Sequence, residues 1–105
     1  MEIIDVNNKI KDFMNALDKP SFARVKKTVD MLKKYGHQLD MPDSKSLGRG
    51  LFELRTLGKI QVRILYIFHK DDAYLIHIFI KKFWKIGSKD IEYARRIQKE
   101  IIRLV

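Results

Sequence analysis

The chain contains no cysteine, and that absence alone excludes a disulfide framework, a thiolate zinc site and a cysteine nucleophile. It also lacks any run approaching the roughly 18 uncharged apolar residues that mark a membrane-spanning helix. Its opening residues, Met1 to Val6, carry Glu2 and Asp5 where a secretory signal has a basic and then an apolar stretch. A soluble, unprocessed, cytoplasmic protein with no membrane partner is the expectation. No internal repeat or low-complexity segment breaks the chain, so residues 1–105 read as one domain.

Acidic residues are scarce in one part of the chain. Residues 1–43 hold 8 basic and 7 acidic side chains, net +1, whereas residues 44–105 hold 14 and 6, net +8. The whole chain carries 22 Lys plus Arg against 13 Asp plus Glu, a formal charge of +9, with 46% apolar residues. That is enough apolar material for a core, and a domain of this size withdraws roughly two-thirds of its unfolded surface from water. The localised positive excess points to a polyanionic partner, nucleic acid first and an acidic membrane or protein second. The same excess also serves solubility alone.

Periodicity orders the elements as β-α-α-β-β-β-α. Glu2 to Val6 is short and β-branched and reads as a strand, followed by a helix from about Asn8 on Ile10, Phe13, Met14 and Leu17. Asp18-Lys19-Pro20 ends it, because the residue before a proline avoids the α region. A second helix starts at Pro20 or Ser21, carries Phe22, Val25, Val29 and Leu32 as one stripe, and stops at Tyr35-Gly36. His37 to Gly50 shows little periodicity and reads as an irregular connection. Leu51 to Thr56, Ile60 to Phe68 and Tyr74 to Lys82 then form an antiparallel meander, separated by Leu57-Gly58-Lys59 and Lys70-Asp71-Asp72. From Ser88 a final helix follows, with Ile91, Ala94, Ile97, Ile101 and Leu104 on one stripe. The class is α+β, an antiparallel sheet with an N-terminal helical hairpin and a C-terminal helix, the helices packed on one sheet face and the other face open or holding a ligand.

Strand alternation sorts side chains between those faces. Phe52, Leu54 and Thr56, then Ile60, Val62, Ile64, Tyr66 and Phe68, then Tyr74, Ile76, Ile78 and Ile80, fall on the core face. Glu53, Arg55, Arg63, His77 and Lys81 fall on the open face, with Phe79 among them as a stacking platform. Guanidiniums and an ammonium hold a phosphodiester and stabilise its pentacoordinate transition state, while a carboxylate or imidazole moves protons. The alternative is a solvated sheet face in which Glu53 and Arg55 form an ordinary ion pair.

Four segments resemble the RelE/ParE superfamily of bacterial toxins in type II toxin-antitoxin systems, in its phage-related HigB-like branch. Lys45-Ser46-Leu47-Gly48-Arg49-Gly50-Leu51-Phe52-Glu53-Leu54-Arg55 looks like K-x-L-G-x-G-L-[WYF]-E-L-R, and Val62-Arg63-Ile64-Leu65-Tyr66 looks like [YF]-R-[VIL]-[LF]-Y. Ile76-His77-Ile78-Phe79-Ile80-Lys81-Lys82 looks like L-H-x-F-x-K-K, and Asp90-Ile91-Glu92-Tyr93-Ala94 looks like the E-I-x-x-A that opens the last helix. Before that helix the branch usually carries polar residues, where this chain has Phe83-Trp84-Lys85-Ile86-Gly87-Ser88.

The resemblance implies a RelE-like fold and a metal-independent endoribonuclease without cofactor, an mRNA interferase that inhibits translation. Its partners would be mRNA, the ribosome and a cognate helix-turn-helix antitoxin of HigA type. The ribose 2'-OH would attack the adjacent phosphate and the 5'-oxygen would leave. Arg55 and Arg63 would clamp that phosphate, assisted by Lys81, which alternatively acts as acid or base. Glu53 is either a base or the group that orients Arg55, and His77 either transfers protons or is a packed structural residue. Lys45, Arg49, Phe79, Lys82, Trp84 and Lys85 are the candidate RNA contacts. Phe83 and Trp84 either stack on bases, form a patch that an antitoxin covers, or cap the sheet edge. Two other readings stay open: a ParE-like non-enzymatic inhibitor of a protein such as DNA gyrase, and a degenerate member that no longer cuts.

Overall fold

Local chemistry sets the helix boundaries of the computed structural model, which describes residues 1–82 and 84–105. Strand β1 (Ile3–Asp5) leads into α1 (Lys9–Asn15) and then α2 (Lys19–Tyr35). The Asp18 side chain accepts a hydrogen bond from the Ser21 backbone N–H at 3.2 Å, capping the first turn of α2, which also holds Pro20. The Ser21 hydroxyl, and after it this backbone N–H, hold the Asp18 carboxyl below its ordinary pKa. At the other end Gly36 takes φ +55°, a left-handed conformation that an L side chain adopts only with strain.

After a short 3-10 turn at Gly36–Gln38, four further strands follow: β2 (Ser44–Gly48), β3 (Leu51–Arg55), β4 (Val62–His69) and β5 (Asp72–Ile80), and α3 (Ser88–Leu104) closes the order. The five strands form one sheet in the order β1-β5-β4-β3-β2. β1 runs parallel to β5 and the other neighbours are antiparallel, so the sheet is mixed rather than purely antiparallel. Within the segment expected to be irregular lies β2. As an edge strand it pairs only with β3, and Ser44-Lys45-Ser46-Leu47-Gly48 has neither the branched residues nor the alternation of a central strand. The Lys70-Asp71 turn between β4 and β5 is as expected, both residues taking positive φ.

Helices cover both faces, not one. On the first face Leu54, Val62, Ile64, Tyr66 and Leu75 meet Ile10, Val25 and Leu32 of the helical hairpin. On the second, Leu51, Leu65, Ile67, Tyr74 and Ile76 meet Ala94 and Ile101 of α3. Tyr74 and Ile76 therefore lie opposite to the expected face. The cause is a bulge in β5: Leu65 pairs with His77 and Tyr66 with Leu75, so Ile76 is passed over and the alternation reverses on one side of it. His77, Phe79 and Lys81 lie beyond the bulge and keep the parity expected of them.

Candidate active site

Cross-strand register assembles the site. Lys45, Glu53, Leu65 and His77 align as one row across β2 to β5, and Arg55, Arg63 and Phe79 align as the next. α3 covers the end of this face near the β2–β3 and β4–β5 turns. At the opposite end a cleft of about 410 Å³ stays open, lined by Lys45, Leu47, Glu53, Arg55, Lys81, Trp84, Lys85, Ile86 and Ile91. Six of the eleven residues expected to form the site thus meet in one concavity, five of them besides the buried carboxylate being cations or the indole.

Glu53 is the floor of the cleft, only 3% exposed, with Oε1 3.6 Å from Arg55 Nε and Oε2 3.4 Å from Arg63 Nε. Neither approach is a hydrogen bond, and Glu53 Oε2, Arg55 Nε and Arg63 Nε are buried polar atoms without a hydrogen-bond partner. Arg55 keeps 21% of its side chain exposed and reaches the cleft. Trp84, 84% exposed, stands at the rim with Lys85 Nζ 5.2 Å from its ring centroid. Lys81 is anchored through its backbone, its N–H donating to the Gln61 carbonyl at 2.8 Å.

Four expected site residues are placed elsewhere. Arg63 is 1% exposed, contrary to its expected place on an open face without core contacts. Its Nη1 donates to the carbonyls of Thr56 and Val62 at 3.2 and 3.1 Å, and its Nη2 to Gln61 Oε1 at 3.1 Å. Burial pushes this guanidinium below its ordinary pKa, with Glu53 opposing and Arg55 adding to the shift. Its terminal donors are committed to the protein, so it does not present a fork to a phosphate. His77 is held under α3, Nε2–H donating to Asp90 Oδ1 at 2.7 Å, with its ring against Phe79 and Tyr93 at 5.1 and 5.0 Å. Phe79 thus packs in the second-face core rather than standing free. Arg49 sits in the β2–β3 turn beside α3.

Lys82 lines a neighbouring depression that shares Lys81 and Trp84 with the cleft. Phe83 lies outside the described residues. Tyr66 is buried as expected, its hydroxyl 2.6 Å from Ser44 Oγ, and burial pushes it above its ordinary pKa against that bond. Sequence reasoning missed Gln61 and Asp90 as the partners of Arg63 and His77. Neither has a local signal, because each meets its partner only through the pairing of distant segments. Among the described residues no three His, Asp or Glu side chains group as a metal-ligand set, and no helix is long and apolar enough to cross a membrane.

The molecule is therefore a small basic α+β protein with a cationic cleft over a buried carboxylate. A family model described as Phage derived protein Gp49-like (DUF891) matches residues 12–99, and the chain belongs to that family. It is a phage-derived, toxin-like family associated with toxin-antitoxin systems, in which such a chain has an antitoxin partner. The matched span takes in the whole cleft and α3 as far as Lys99. No curated protein matches the chain.

Proposed function

We propose that this protein is the toxin of a type II toxin-antitoxin pair and an mRNA interferase of RelE-like fold, HigB-like branch, acting on mRNA at the ribosome. The observation that carries the reading is the convergence of Lys45, Arg55, Lys81 and Lys85 on one cleft whose floor is a carboxylate. Arg55 and Lys81 bind the scissile phosphate and stabilise the charge on its equatorial oxygens. Glu53 Oε1, on the Arg55 side of the carboxylate, is the acceptor for the 2'-OH proton, while Oε2 is turned to the interior Arg63. The freed 2'-oxygen attacks phosphorus, a 2',3'-cyclic phosphate forms, and the 5'-oxygen leaves with a proton from the Lys81 ammonium. Arg63 acts through Glu53 as a positioning residue, and Trp84 stacks on a base. The cognate partner is a helix-turn-helix antitoxin of HigA type that occludes this face.

Expression without antitoxin tests the reading. Translation is expected to fall before DNA synthesis, with mRNA cut at defined positions that vanish when ribosomes are omitted. Intact mRNA with arrested DNA synthesis would replace it with the gyrase-inhibitor reading. Glu53→Gln separates the base from the orienting role: loss of a base stops cleavage with RNA binding intact, whereas loss of a carboxylate that only orients Arg55 weakens binding and cleavage together.

A further inference from the structure

A second cationic surface lies on the far side of the β2–β3 turn. Two adjoining depressions of about 430 and 300 Å³ share Arg49, Arg95 and Lys99, and Arg96 completes the first. Among the described residues none of these four cations is within ion-pair distance of an acid, although Glu92 lines the same groove. The platform is fixed to the fold. Arg95 donates to the carbonyls of Gly48 and Leu47 at 2.9 and 3.2 Å, and Gln98 donates to the Arg49 carbonyl at 2.8 Å. Burial and the neighbouring Arg49 both press the Arg95 guanidinium below its ordinary pKa. Like charges held together without acids are costly unless an anion joins them.

We infer that this groove is a second contact for the RNA phosphate backbone, continuing the cleft so that one strand is held at both. The inference rests on the RNA reading of the cleft and adds where the strand runs beyond it. Continuity is direct: Ile91 lines both concavities, and Leu47 lines the cleft while its carbonyl anchors Arg95. Arg95 commits both terminal nitrogens to the Leu47 and Gly48 carbonyls and to Gln98 Oε1 and serves as the frame, while the guanidiniums of Arg49 and Arg96 suit phosphate because their donors lie in a planar fork. An acidic protein segment would need a buried apolar anchor, and among the described residues Ile91 and Ile102 are the only apolar side chains lining this groove.

Anisotropy of labelled, fully 2'-O-methylated RNA, which lacks the attacking hydroxyl, reads binding apart from cleavage. One probe is long enough to cross from cleft to groove and the other fills the cleft alone, both titrated from roughly 50 to 200 mM salt. Arg96→Gln with Lys99→Gln is expected to flatten the slope of log K against log salt by about 1.4 for the long probe, at about 0.7 per lost contact. The short probe should be unaffected, and Lys27→Gln with Lys33→Gln, which removes the same charge from α2, should leave both slopes as they were. An unchanged long-probe slope overturns the inference, as does an equal loss in the α2 variant, which would reduce it to net charge. Loss of antitoxin binding with RNA binding intact would assign the groove to a protein instead. Failure of the unaltered protein to bind even the short probe, both free and with ribosomes added, would remove the cleft reading itself, whereas equal slopes for the two probes would remove only the groove.

Discussion

The α3 side of the sheet has two ends that differ in chemistry although the same strands build both. Under the helix, Leu51, Leu65, Ile67 and Ile76 are dry. Further along the same strands, with the same parity, Glu53, Arg55, Arg63 and Lys81 carry charge. α3 packs on one end of the face, against Leu51, Ile67 and Tyr74, and what it leaves uncovered becomes a cleft with low-dielectric walls. Charges placed there interact more strongly with a bound anion than they would on a solvated face. Within the charged end the contrast repeats at closer range. Arg55 and Arg63 are directly opposed across β3 and β4 and flank one carboxylate, yet one reaches solvent and the other is interior.

The sharpest way to break this comparison is to remove the interior member. Arg63→Ala strands Glu53 beside a single distant guanidinium and takes a donor from the Thr56 carbonyl, while the Val62 carbonyl keeps the Thr56 N–H, and loss of one partner from a buried ion pair typically costs about 3–5 kcal/mol. A fall of that order in unfolding free energy is expected in urea titrations. A variant as stable as the parent would show that Arg63 is not structurally committed. Arg55→Ala should behave in the opposite way, with cleavage reduced about 10² to 10³-fold and stability lowered clearly less than in Arg63→Ala, because Arg55 is partly exposed and Glu53 keeps the nearer Arg63. Cleavage assays alongside the same titrations check both halves, and a stability loss matching that of Arg63→Ala would erase the distinction between the two arginines.

The smallest effect is expected at the boundary between the two ends. His77→Ala removes one hydrogen bond from β5 to Asp90 at the start of α3, in a partly exposed position, and should cost about 1 kcal/mol. Its cleavage rate should fall far less than that of Arg55→Ala. A loss as deep as that of Arg55→Ala, with the stability change no larger than expected, would return His77 to proton transfer.

Much of the fold was legible in local signals. The stop of α2 at Gly36, the Lys70-Asp71 turn, the stripe of α2 and that of α3 as far as Ile101 are statements about neighbouring residues, and the structure repeats them, whereas Leu104 at the end of the α3 stripe is exposed. The set Glu53, Arg55, Arg63 and Lys81 was also legible, since alternation alone puts these residues on one side. Edge strand β2 was not, because a strand of Ser, Lys and Gly is held by its pairing partner rather than by its own propensity. The bulge at Ile76 was not either, since an apolar run of Tyr74-Leu75-Ile76 serves both faces and shows no break in pattern when the register slips.

The sequence by itself determined the α+β class, the boundaries of most elements, the concentration of charge after residue 43 and which charged side chains share a face, because each depends on residue type and on spacing along the chain. Which of those side chains meets solvent was decided only by the tertiary structure. The position of α3 separates the cleft from the core, places Arg49 beside Arg95 and holds His77 against Asp90. The ends of β3 and β4 supply the carbonyls that take Arg63 inward. Burial and pairing are relations between segments far apart in the chain, so two arginines of the same type and parity acquire different environments only when the helix and the loop have packed around them.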